Sequence, residues 1–229
     1  MLSYVLLRPL WHEFPGDEAT HDIDTQFMWG SSLVITPVIE PGVTERQVYL
    51  PVDEMWYDLN TGMSVVSGSF SATSDLDDDE PTVPLYVRSG TILPAQQPGL
   101  TTTESKLNDM DLLVFLNNEG GAQGDLYLDD GDSINAEQDN YSLIKFEVES
   151  GFMLSIPEST IFSDFNFNIG SVVVLGVEED ITGVMVNNGV HENFLYFPDQ
   201  KILTIKGVRR NLQTRGKKLV SSQWNVNLL

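Results

Sequence analysis

Cysteine is absent from the 229 residues. That excludes a disulfide framework and a thiolate metal site, and it leaves the redox compartment unmarked in the sequence. Basic residues are scarce, with 12 Lys and Arg against 34 Asp and Glu, for a formal net charge of −22. They are also unevenly placed. Residues 1–200 hold 5 basic residues against all 34 acids, a local net of −29, whereas residues 201–229 hold seven (Lys201, Lys206, Arg209, Arg210, Arg215, Lys217, Lys218) and no acid. Binding to a phosphate backbone depends on counterion release by clustered Lys and Arg, so no nucleic acid partner is expected. The basic stretch reads as solvated strand faces lying against the acidic remainder. Long hydrophobic runs are missing as well. No stretch approaches the ~18 to 20 apolar residues of a membrane span, and no basic start followed by an apolar core and a small-residue cleavage site is visible. A soluble piece with no membrane span is expected.

What the sequence does contain is a succession of short apolar runs separated by turn chemistry. Leu33, Val34, Ile35, Val38 and Ile39, bounded by Gly30 and Pro41-Gly42, read as a short strand buried on both faces. Val43 to Leu50 alternates imperfectly and reads as the return strand of a hairpin. Val5-Leu6-Leu7 running into Arg8-Pro9-Leu10 looks like a buried parallel strand, with Trp11 to Glu18 as the polar loop after it and a turn or two of helix within Ala19 to Gln26. Thr61 to Glu80 reads as a loop, Pro81 to Leu93 as a strand bent at Gly90, and Pro94 to Ser105 as a linker. Beyond it, strands are expected at Met110 to Phe115, Gly124 to Leu128, Leu143 to Val148, Phe152 to Ile156, Phe162 to Ile169 and Ser171 to Val177. Four more follow at Ile181 to Val186, Phe194 to Phe197, Ile202 to Ile205 and Leu219 to Asn225. Turns at Glu149-Ser150-Gly151, Asn187-Asn188-Gly189 and Pro198-Asp199-Gln200 give the spacing of an all-β sandwich.

Several of these runs share a second property. Arg8-Pro9-Leu10, the acidic Phe14-Pro15 loop, Phe27-Met28-Trp29-Gly30, Leu33-Val34-Ile35-Thr36-Pro37-Val38, Tyr49-Leu50-Pro51 and Trp56-Tyr57-Asp58 follow one another in an order that resembles the C-terminal third of glycoside hydrolase family 31. This is the group of the maltase-glucoamylases, sucrase-isomaltases and lysosomal α-glucosidases. Pro84 to Pro94 and Tyr127-Leu128-Asp129-Asp130-Gly131-Asp132-Ser133 look like two further signatures of that family. The resemblance covers residues 8 to 133 by motif, and from about Asn135 onward it rests on order and length.

The resemblance implies an all-β chain: two β-sandwich domains following a remnant of a (β/α)8 barrel. The implied division is residues 1–29 for the last barrel strand, 30–105 for a proximal sandwich and 106–229 for a distal one. It also implies retaining hydrolysis of terminal α-linked glucose from oligosaccharides, without a metal or organic cofactor. Both catalytic aspartates of the family lie on earlier barrel strands, so no catalytic residue is assigned within this chain. Its expected partners are the remainder of the barrel or an intact family member, with oligosaccharide as substrate of the whole enzyme. A secretory, lysosomal or cell-surface location follows from the resemblance alone. The alternative is a non-catalytic carbohydrate-binding or scaffolding module, and a regulatory subunit is a third possibility.

Individual residues invite sharper readings. A glycosidase needs two carboxyl groups facing across one sugar bond, about 5 Å apart when the stereochemistry is retained. Glu13, with His12 beside it, sits where a barrel would hold a carboxylate, but a partner or solvent contact of the loop is expected of Glu13 and a structural role of His12. Asp129 and Asp130 are neighbours on a strand and point to opposite faces, so Asp130-Gly131 is expected to be a hairpin turn rather than a catalytic pair. The acidic cluster Asp75 to Glu80 lacks the spaced ligand pattern of a calcium loop and reads as a solvated loop. Phe152, Phe162, Phe165 and Phe167 could form an aromatic platform for sugars, and core packing is preferred for all four. Asn140-Tyr141-Ser142 is an acceptor sequon, which makes Asn140 the glycosylation candidate if the chain is secreted.

Overall fold

In a computed structural model the described residues are 6–74, 82–129, 141–149, 151–160, 168–186, 189–211 and 222–225. Their regular elements are nearly all strands, as expected, and the chain divides into two compact units at Ser89/Gly90.

The first unit contains β1 (Leu7–Arg8), β2 (Phe27–Trp29), β3 (Leu33–Ile35), β4 (Glu45–Leu50), β5 (Trp56–Asp58), β6 (Ser64–Val65), β7 (Gly68–Thr73) and β8 (Leu85–Arg88). Six of them form one sheet in the order β1-β2-β3-β8-β5-β6, and β4 pairs with β7 as a second. Val48 and Leu50 from the second sheet meet Leu10, Met28, Val34, Trp56 and Tyr86 in one core. Alternation explains this. On β4 the inward positions are Arg46, Val48 and Leu50, and on β7 Phe70 and Ala72 face the same core while Ser69 and Ser71 are exposed.

Several expectations are corrected here. The segment around Arg8 is no parallel strand: Leu7 and Arg8 pair antiparallel with Trp29 and Met28, at the sheet's edge. Pro9 has no N–H to continue the ladder, and it leads into a one-turn helix, α1 (Leu10–Glu13), where a loop was expected. The Leu33–Leu50 hairpin does not form either. β3 lies between β2 and β8, and β4 takes β7 as its partner. Pro37 and Pro41 stop the apolar run after Ile35, and β3 is fully buried only at Val34. The reading of Thr61 to Glu80 as a loop fails at β6 and β7, where Ser and Gly hide a two-residue strand and a short alternating one.

The second unit holds β9 (Thr91–Gln96), α2 (Thr102–Ser105), β10 (Met110–Phe115), β11 (Ala122–Asp129), β12 (Tyr141–Glu149), β13 (Phe152–Thr160) and β14 (Asn168–Leu175). It continues with β15 (Val184–Val186), β16 (Gly189–His191), β17 (Phe194–Phe197), β18 (Ile202–Asn211) and β19 (Ser222–Asn225). Nine of these strands form a single sheet in the order β17-β18-β14-β10-β9-β11-β12-β13-β19, with β15 and β16 as a separate pair. The sheet folds over on itself, so that Ile144, Phe146 and Met153 from one half share a core with Leu112, Val114, Val172 and Leu203 from the other. The fold-over happens at β9 and β11, which touch through one parallel pair, Thr91 and Gln123. A Cβ at Gly124 would lie 2.1 Å from the Ile92 carbonyl oxygen, so only glycine allows the two backbones this close.

Residues 91–96, read from sequence as a strand end and a linker, are hydrogen-bonded to β10 and so belong with the second unit. Thr102–Ser105 is a helical turn whose cap is Thr101, which accepts from the Glu104 N–H at 3.2 Å. The break placed at Gly170 is a bulge inside β14, where the register with β10 and β18 slips around that residue.

Candidate functional site

Glu13 ends α1, and its carboxylate is ion-paired with Arg8 from β1. His12 Nδ1 lies 3.3 Å from the same carboxylate oxygen. Pro9 turns the chain back on itself, which is why a strand residue and a helix residue five positions apart meet. The Glu13 side chain is 14% exposed and that of Arg8 11%, whereas His12 keeps 46%. A carboxylate clasped by guanidinium between two adjoining elements is built as a fastening of the chain, where a loop contact to solvent or a partner was expected of Glu13.

Two further clusters hold the same stretch. Asp17 caps a 3-10 turn at Glu18–Thr20 by accepting from Ala19 N–H, and its other oxygen accepts from the Tyr49 hydroxyl at 2.7 Å. Burial, then the hydrogen bond and charge of Asp17, then the charge of Asp53 push the Tyr49 hydroxyl up to about 12. Gln26 is 4% exposed and pairs with the Tyr49 backbone in both directions: its Oε1 accepts from the N–H at 2.8 Å, and its Nε2 donates to the carbonyl at 3.1 Å. The Arg88 guanidinium sits 5.1 Å from the centre of the Phe14 ring and is ion-paired with Glu54, and Phe14 in turn packs against Trp56 at 6.0 Å. The Trp56 indole N–H donates to Pro51 O at 3.1 Å.

The second unit contains a cavity of about 430 Å³ at one end of its folded sheet. Its floor is apolar, formed by Val148, Met153, Val172, Val174, Leu203 and Ile205. The rim includes Asn117, Glu119, Glu178 and Glu179. Asn117 is already engaged, its side-chain oxygen accepting from Glu119 and Gly121 N–H, and Glu178 is paired with Lys201 at 2.7 Å. The floor offers no nucleophile or titratable group, so this space can enclose an apolar group but has nothing to react with it.

Of the residues singled out in the sequence, Asp129 closes β11 opposite Tyr141. Phe152 is 40% exposed, which corrects its assignment to the core. Asp75 to Glu80, Asp130, Gly131, Asn140, Phe162, Phe165 and Phe167 lie outside the described residues. No group of three or more His, Cys, Asp or Glu suited to a metal ion occurs among the described residues. The Asp17–Tyr49 and Gln26 fastenings went unread in the sequence. A polar residue directly before an apolar strand was the signal for Gln26, and Tyr49 carried none.

Comparison with known proteins gives a consistent picture. Residues 3–93 match the sequence model of the Glycosyl hydrolase family 31 C-terminal domain. Lysosomal alpha-glucosidase of Rattus norvegicus is 35% identical over 215 residues, which is 86% of this chain and 22% of that protein. Alpha-glucosidase of Schizosaccharomyces pombe is 34% identical over 224 residues, 97% of this chain and 22% of its own length. The chain therefore spans about a fifth of either relative. A crystal structure of a glucosidase II alpha subunit superposes with a TM-score of 0.75 at 24% identity, covering 89% of this chain and 24% of that one, which speaks for the fold.

Proposed function

From a chain that belongs, through residues 3–93, to the glycoside hydrolase family 31 C-terminal domains, we infer the C-terminal part of a retaining α-glucosidase. In this reading the whole enzyme removes terminal α-linked glucose from oligosaccharides, and its catalytic aspartates lie in a barrel that this chain does not include. The observation that carries it is the span: the match to α-glucosidases runs through 86% and 97% of this chain while using 22% of each relative. The remaining barrel is then the partner of this chain, and oligosaccharide is the substrate of the two together.

The apolar surface of the first unit supports the same reading. Leu6, Leu7, Trp11 and Trp29 are 62, 58, 47 and 50% exposed: Leu7 of the edge strand β1 pairs with Trp29 of β2, Leu6 directly precedes β1 and Trp11 lies on α1. An edge strand flanked by large apolar side chains calls for a cover, and the absent barrel supplies one. The chain's own part in catalysis is mechanical. Arg8, Glu13, Asp17, Gln26 and Arg88 fix the loops between residues 8 and 56, giving the barrel a preformed surface to pack on.

Hydrolysis of maltose and of an aryl α-glucoside by purified residues 1–229 tests the inference. No turnover above background is expected, because losing catalytic groups costs orders of magnitude in rate. Turnover that survives rigorous purification and vanishes in Glu13→Gln would falsify it and make Glu13 a catalytic residue.

A further inference from the structure

We propose that the outer face of β11 and β12 is a saccharide-binding surface, where a glucosyl unit of a neutral α-glucan stacks on Tyr127 and Tyr141 and hydrogen-bonds to Asp125 and Asp129. The α-glucan as ligand rests on the function proposed above.

The two strands alternate cleanly. Ala122 and Leu126 of β11 and Ser142, Ile144 and Phe146 of β12 turn inward, while Asp125, Tyr127 and Asp129 share the outer face at two-residue spacing. Successive outward residues on a strand are about 7 Å apart, so a carboxylate stands on either side of the Tyr127 ring at that distance. Across the ladder Asp129 is opposite Tyr141 and Asp125 is opposite Lys145. The two tyrosine rings stack at 5.4 Å between centroids with 17° between their planes, yet Tyr127 remains 45% exposed.

A single exposed aromatic residue is ordinary on a protein surface. An offset pair of parallel rings with acceptors on both flanks is a more specific arrangement. Tyrosine rings offer a rigid apolar surface with little entropy left to lose on binding. A glucopyranose unit has C–H groups on its faces and hydroxyl donors around its rim, so the ring can stack while the rim reaches Asp125 and Asp129. The charge of the surroundings selects against other ligands. A chain of net −22 repels anionic polymers, and Lys145, opposite Asp125 on the same face, offsets part of the local negative charge.

Titration calorimetry of the full chain with maltoheptaose, cellohexaose and a short oligolysine tests this. Saturable binding of maltoheptaose is expected, weakened at least about tenfold by Tyr127→Ala and restored by Tyr127→Phe, with melting curves confirming that both variants fold. Asp125→Asn combined with Asp129→Asn should weaken it as well. Absence of binding to any probe, equal binding by Tyr127→Ala, or a preference for oligolysine overturns the surface and leaves the α-glucosidase reading intact. Tyr127-dependent binding of cellohexaose with none of maltoheptaose overturns the α-glucan assignment, and with it the substrate inferred for the enzyme.

Discussion

The first unit is built from strands of two to six residues, whereas the second has several of eight to ten. The consequence is visible in what holds each together. In the second unit long ladders and one continuous apolar core carry the fold, with Leu112, Val114, Ile169 and Leu203 all fully buried. The first unit has a smaller core, and side chains complete what its short ladders leave open. Gln26 pairs with the backbone of Tyr49, Asp17 with its hydroxyl, Ser74 with Thr82 O and Asn60 with Val83 O. Short strands leave more backbone groups unpaired, and a buried unpaired group costs as much as a lost hydrogen bond. The first unit should therefore be sensitive to polar substitutions, and the second to changes of shape.

Gly124→Val puts that contrast to its hardest test. With the Ile92 carbonyl 2.1 Å from the added Cβ, β11 and β9 must separate at the one place where the two halves of the sheet join. Overpacking usually costs about 1 to 3 kcal/mol, but here backbone meets backbone and neither side can rotate away. A cost above about 4 kcal/mol and loss of the cooperative melting transition are expected, followed by circular dichroism. A fall of only a few degrees would mean that the junction yields, and that the second unit is not governed by shape.

Gln26→Met is the counterpart in the first unit. The substitution keeps the volume but removes the partner of both the N–H and the carbonyl of Tyr49. Leaving such groups buried and unpaired costs about 1 to 3 kcal/mol each, so a loss of about 2 to 4 kcal/mol is expected in denaturant titration. Near-neutral behaviour would show that the first unit depends on its apolar core as the second does.

These two sites also mark what could be read from the sequence. The bounds of Met110–Phe115 and Phe194–Phe197 were legible because alternation fixes which side chains face inward. Alternation names a face and never a neighbour. The hairpin expected from Leu33 to Leu50 failed for that reason: the second partner of β3 is β8, about fifty residues further on. Gly124 read as the first residue of a strand, and its close approach to Ile92 exists only once distant segments meet. The platform of Tyr127 and Tyr141 was hidden in the same way, since the pairing of β11 with β12 brings the two rings together. The enzymatic reading came from motif order alone, because no residue within the chain points to hydrolysis by its own chemistry.

The tyrosines extend the comparison into pH. Tyr49 is pushed up to about 12, chiefly by burial and by Asp17, and Tyr86 also to about 12, chiefly by burial with Asp58 adding to it. Both belong to the first unit. A group whose folded pKa exceeds its unfolded value contributes stability that is complete below the unfolded value of about 10 and is lost as pH rises through the folded one. The first unit should therefore weaken between about pH 10 and 12. Tyr49→Phe should flatten part of that loss while costing about 1 kcal/mol at neutral pH through the hydrogen bond to Asp17. A Tyr49→Phe chain with the same alkaline profile as the parent would remove Tyr49 from the account.

The smallest effect is expected at Lys201, where a turn in the second unit breaks the ordinary backbone rules. Lys201 has φ 57°, the only positive φ outside glycine among the described residues. A side chain in that region is strained by roughly 1 kcal/mol, which glycine avoids. Opposing this is the ion pair from Lys201 to Glu178, whose side chains are 50 and 73% exposed. Exposed pairs of this kind contribute between about 0 and 1 kcal/mol and weaken with salt. Lys201→Gly should therefore leave stability nearly unchanged at low salt and raise it by a few tenths of a kcal/mol at about 0.5 M salt, where the pair is screened and the backbone relief remains. Thermal melts at the two salt concentrations measure the difference. A loss that persists at high salt would show that the lysine stem packs on the turn and that side-chain contact, rather than backbone geometry, sets its stability.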